Sequence, residues 1–75
     1  MKVQVLTTPN CPGCDQVKKY LEEEHVKYES IDITKNPEIL QKYFIMSAPG
    51  IIIDGKLEFT GVPGKKELMK KLGKQ

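Results

Sequence analysis

Seventy-five residues suffice for one domain and leave no room for a second, so 1–75 is read as a single unit. Twelve lysines against ten acidic residues give a net charge of +2, too even for a dedicated nucleic-acid binder with a clustered basic face. With no arginine among the basic residues, bidentate phosphate or base recognition is excluded.

The stretch Met1–Leu6 lacks the apolar core of a signal peptide. No run approaches the roughly 20 apolar residues of a membrane span. A cytoplasmic monomer with no membrane partner is therefore expected. In a reducing compartment a lone cysteine pair is more often catalytic or metal-binding than structural. Cys11 and Cys14 are also poor staples, because a disulfide stabilises less the fewer residues it encloses.

Lys2–Thr7 alternates, with Val3 and Val5 on one face followed by Leu6, and predicts a first strand. Thr7-Thr8-Pro9-Asn10 ends it, and Pro12 suits the first position of a helix, where its missing N–H is no loss. Cys14, Val17, Leu21 and His25 follow at helical spacing, with Lys18, Lys19, Glu22 and Glu23 outside. Val26–Ile33 predicts a second strand. Asn36-Pro37 predicts a capped second helix whose buried stripe is Ile39, Leu40, Tyr43 and Phe44.

Asp54-Gly55, between Ile51-Ile52-Ile53 and Lys56–Thr60, is the strongest local signal and predicts a hairpin with a type I′ turn. Gly61–Gly64 is a loop, and Lys65–Leu72 a closing helix with Leu68, Met69 and Leu72 inward. Lys65, Lys66, Lys70, Lys71 and Lys74 form its solvated basic face, and His25 is expected as an exposed helix-end residue. The order β-α-β-α-β-β-α predicts an α/β fold. Its first two strands are parallel through a right-handed crossover, and a mixed four-stranded sheet is flanked by helices.

The chemistry sits in Cys11-Pro12-Gly13-Cys14, between the first strand and the first helix. A sulfur at a helix start meets unpaired N–H groups and the positive end of the dipole, both of which favour thiolate. Cys14, three residues on, is within reach of it. Lowering a thiol pKa from about 8.5 to about 7 raises the thiolate fraction at pH 7 roughly 16-fold. Weaker nucleophilicity returns roughly fivefold of that. The net gain as attacker is small, and the larger benefit is that such a sulfur also leaves faster.

Pro49, thirty-eight residues after Cys11, lies in Ser47-Ala48-Pro49-Gly50, directly before the isoleucine strand. With this, the chain resembles a thioredoxin-superfamily domain in its minimal, glutaredoxin-like form, over essentially its whole length. The resemblance implies a thiol–disulfide oxidoreductase with Cys11 as nucleophile and Cys14 as resolving thiol. It also implies a cis proline at Pro49 beside the pair, and a backbone edge at Ala48 that takes a substrate strand. Pro12, Gly13, Ala48 and Pro49 are the expected substrate contacts. The implied partners are disulfide-bearing proteins and, as electron donor, a reductase or a low-molecular-weight thiol. No cofactor or metal is expected beyond the redox-active pair.

The chain departs from both main branches of that family. Glutaredoxins usually carry an aromatic residue where Gly13 stands, and a Gly-Gly with an acid before the last helix to hold glutathione. Here that segment is Thr60-Gly61-Val62-Pro63-Gly64. Thioredoxins carry a tryptophan before the pair and a buried aspartate in the leading strand, and this chain has neither. Two other functions use the same motif. A metallochaperone-like module would bind Cu(I) or zinc through the two thiolates. Against it, Pro9 stands where such domains carry methionine, the chain ends in a helix, and His25 is the sole good nitrogen donor for zinc. A redox-sensing interaction domain would keep the fold and exchange slowly.

Overall fold

The computed structural model describes residues 2–43 and 48–73. Its elements are β1 (Val3–Thr7), α1 (Pro12–Glu23), β2 (Glu29–Asp32), α2 (Glu38–Lys42), β3 (Gly50–Ile53), β4 (Lys56–Thr60) and α3 (Lys65–Lys71). The strands lie in the order β2-β1-β3-β4. β1 runs parallel to β2 and antiparallel to β3, and β3 runs antiparallel to β4.

Register explains the core. Val3 pairs with Ile53 and Val5 with Ile51, so alternation puts all four on one face. There they pack with Val17 and Leu21 of α1 and with Leu68, Met69 and Leu72 at α3. Leu6 and Ile52, out of phase with these, are also buried. β3 is therefore buried on both faces, which is why Ile51-Ile52-Ile53 does not alternate.

The hairpin forms as the sequence predicts. Asp54 and Gly55 have φ of 52° and 83°, the left-handed pair that a type I′ turn requires. In β4 the register slips between Ile51 and Ile52, leaving Glu58 as an extra residue between Leu57 and Phe59. This bulge directs Glu58 to Lys71 Nζ at 3.2 Å. Lys65 Nζ lies 3.3 Å from Glu23 and 3.4 Å from Glu24, and the Glu23 carboxylate raises its pKa. The expected solvated face of α3 thus gives up Lys65 and Lys71 to ion pairs with α1 and β4, while Lys74 lies outside the described residues.

Two elements differ from expectation. β2 starts at Glu29 rather than Val26, because α1 ends in a Schellman turn. His25 N–H donates to Glu22 O (3.1 Å) and Val26 N–H to Leu21 O (2.8 Å), the paired bonds of that motif. Val26 is thereby drawn against the core, and His25, exposed, takes φ 57°. A left-handed non-glycine residue is strained by about 1–2 kcal/mol. His25→Gly is therefore expected to stabilise the fold by about 0.5–1 kcal/mol after the greater freedom of unfolded glycine is deducted. Thermal unfolding should rise by roughly 2–8 °C, and a fall would show that the imidazole makes a compensating contact.

α2 also differs. Asn36 does not cap it: its amide donates to Asp32 O at 2.9 Å, and the N-cap position is Pro37. Short-range bonds, Ile39 N–H to Asn36 O and Leu40 N–H to Pro37 O, tighten the turn. The five-residue helix buries nothing. Ile39 and Tyr43 are half-buried and Leu40 is 40% exposed, while Phe44 lies outside the described residues. Tyr43, already extended at the C-cap, donates its hydroxyl to Gly55 O at 3.0 Å. Among the described residues no helix is long and apolar enough to cross a membrane.

Candidate active site

The end of β1 delivers the chain to α1 through Asn10, which takes a left-handed φ of 56°, a conformation asparagine tolerates. Cys11 is the N-cap, extended at φ −112° and ψ 96°. Its carbonyl accepts the first helical bond from Asp15 N–H at 3.2 Å, and Pro12 occupies the first helical turn. The cap acceptor is the sulfur itself: Cys14 N–H donates to Cys11 Sγ at 3.1 Å. An N-cap serine or aspartate ordinarily fills this role with oxygen. Here a cysteine fills it, so the orphan donors and dipole of α1 converge on a sulfur.

Cys11 and Cys14 form a disulfide, with Cα atoms 5.2 Å apart. The two sulfurs differ in access. Cys11 is half-buried, whereas Cys14 is 2% exposed and sits on the inner stripe of α1 with Val17 and Leu21.

Two further segments close around the motif. The Ala48–Pro49 bond is cis, and Pro49 is fully buried. A Cβ at Gly13 would lie 3.3 Å from Pro49 Cδ, so ring and motif are in contact. The same Cβ would lie 2.8 Å from Cγ2 of Val62, in the loop before α3. Gly61 in that loop, at φ 80°, donates its N–H to Pro49 O at 2.7 Å and ties the loop to the proline. Ala48 is half-buried, and Ser47 lies outside the described residues. The structure thus assembles Cys11, Pro12, Gly13, Cys14, Ala48 and Pro49 at one end of the sheet. It adds Val62, which the sequence singles out only as part of a loop lacking an acid. Its signal in the sequence is an apolar residue between glycines and a proline, and it is 48% exposed.

The model of the thioredoxin domain family matches residues 1–73. The chain belongs to this family. It is 35% identical over 81 residues to a thioredoxin of Methanocaldococcus jannaschii, covering all of this chain and 95% of that one. It is 33% identical to the glutaredoxin-like protein NrdH of Lactococcus lactis, covering 79% and 85% of the two chains. The crystal structure of the thioredoxin-like protein BC3987 mutant T8A superposes with a TM-score of 0.85 at 31% identity, over 99% and 97% of the chains. The fold is the minimal α/β thioredoxin fold, and with its close cysteine pair this family member is a thiol–disulfide oxidoreductase. Its likeness to both a thioredoxin and a glutaredoxin-like protein accords with a loop and motif that follow neither branch alone.

Proposed function

We propose that the protein is a dithiol carrier that reduces or oxidises protein disulfides, with Cys11 as attacking sulfur and Cys14 as resolving sulfur. The observation that carries this assignment is the asymmetry of the pair: Cys11 Sγ holds the N-cap position and accepts Cys14 N–H, while Cys14 is 2% exposed. In the reducing direction the Cys11 thiolate attacks a substrate disulfide. One S–S bond breaks as a mixed disulfide forms, and the departing substrate thiolate takes up a proton. Cys14 then loses its proton and attacks Cys11 Sγ, releasing the second substrate thiol. Two electrons have moved to the substrate, and the protein is left with the Cys11–Cys14 disulfide.

The substrate chain lies across Pro12 and Gly13 and pairs its backbone with Ala48 beside Pro49, as an added strand does. A reductase or a low-molecular-weight thiol returns the disulfide to the dithiol, and no group beyond the two sulfurs is needed. Without an acid in the loop before α3, protein disulfides are favoured over glutathione. Residues 1–75 act as one domain, a monomer working in the cytoplasm.

Limiting iodoacetamide at neutral pH, followed by peptide mapping of the reduced protein, tests the assignment. Cys11 is expected to be alkylated at least tenfold faster than Cys14, since thiolate fraction and access both favour it. Preferential modification of Cys14 would reverse the two roles.

A further inference from the structure

The loop before α3 reaches the redox motif beside Gly13. Val62 Cγ2 stands 2.8 Å from where a Cβ of Gly13 would be, and Pro49 Cδ stands 3.3 Å from it on the proline side. A valine methyl and a proline ring therefore both cover the face of Gly13 that a side chain would occupy. Glycine has the widest backbone freedom of any residue, and this one contributes its carbonyl to the peptide unit whose N–H, on Cys14, points at Cys11 Sγ 3.1 Å away. Whatever fixes Gly13 fixes the direction of that N–H. Pro49 is itself anchored to the valine's loop through Gly61 N–H and Pro49 O, so the two groups that cover Gly13 are coupled.

From this contact we infer that Val62 is a positioning residue of the redox centre: by holding the Gly13–Cys14 peptide against Pro49 it keeps the Cys14 N–H aimed at the Cys11 sulfur. The inference rests on Cys11 being the sulfur whose thiolate form matters. Val62 acts on the sulfurs through Gly13. Its exposure of 48% is what a residue clamping from the solvent side has, in contrast to the buried isoleucines and leucines of the core. The motif's third residue and the loop's valine are then matched in size. Glycine at 13 makes room for the valine, and the valine supplies the restraint that glycine lacks.

A hydrogen bond to thiolate stabilises the dithiol form, because the reduced protein carries the negative sulfur. Val62→Gly is therefore expected to lower the Cys11 thiolate fraction at pH 7 by about threefold or more, read by thiolate absorbance. It should also shift the equilibrium with a reference dithiol towards the disulfide form by a similar factor. Val62→Ile, which keeps Cγ2, should match the wild type in both measurements. Gly13→Ala places a methyl in the same contact. It should disturb the equilibrium in the presence of Val62 and at most half as much beside Val62→Ala.

If Val62→Gly folds and both readouts stay at wild-type values, the inference fails. Should Val62→Gly fail to fold, the Gly13→Ala and Val62→Ala cycle decides, and strict additivity overturns the inference. If wild-type Cys11 itself shows no elevated thiolate fraction, the assignment of roles to the two sulfurs fails instead, and the cycle still reports on the contact.

Discussion

Cys11→Ser is expected to abolish turnover of a protein disulfide, leaving less than about a thousandth of the wild-type rate, because a serine hydroxyl cannot break an S–S bond at neutral pH. Cys14→Ser should behave differently. Its Cys11 still attacks, but nothing resolves the intermediate, so a mixed disulfide accumulates one-to-one with substrate and appears as an adduct on non-reducing gels and in intact mass. Both phenotypes follow from the sulfur at the N-cap and the sulfur inside the first turn of α1. Full activity in Cys11→Ser, or trapping by that variant in place of Cys14→Ser, would reverse the order of events.

The largest loss of stability is expected from Leu21→Ala. Leu21 is fully buried, packs with Val17, Ile51 and Leu68, and supplies the carbonyl that closes the turn after α1. Truncating a leucine in such a site costs about 3 kcal/mol through lost transfer energy and the cavity left behind. A domain of this size has roughly 4–11 kcal/mol in hand. Thermal unfolding should fall by about 12–24 °C, with the midpoint in denaturant moving in parallel. A fall of only a few degrees would mean that α3 collapses into the space.

These two outcomes also divide what the sequence discloses from what it hides. Asp54-Gly55 specifies its own turn, and Pro12 with Cys11 specifies its own helix start, since each signal acts over two or three residues. The place of α2 is legible, but its cap and its buried face are not, for the opposite reason. Ile39 and Leu40 look like a buried stripe, yet a helix of five residues is too short for its apolar positions to define one inward face, and Asn36 spends its side chain on Asp32. The Val62–Gly13 contact joins residues forty-nine positions apart, and only closure of the sheet and docking of α3 bring them together. Ala48–Pro49 lies between these cases. Its place before the isoleucine strand is visible in the sequence, but its contact with Gly13 is not.

The ten acidic residues are all exposed or half-buried, and among the described residues Thr7 is the sole buried polar side chain, its hydroxyl turned to Ile31 O. No buried carboxylate therefore shares the interior with Cys14 to receive its proton. With the roles proposed for the two sulfurs, that proton passes to water or to the thiolate the substrate has just released. The more basic that released thiolate is, the more readily it takes the proton, whereas the second substrate sulfur leaves faster the less basic it is. The pace of release, and the pH at which it peaks, then become properties of the client protein rather than of the catalyst.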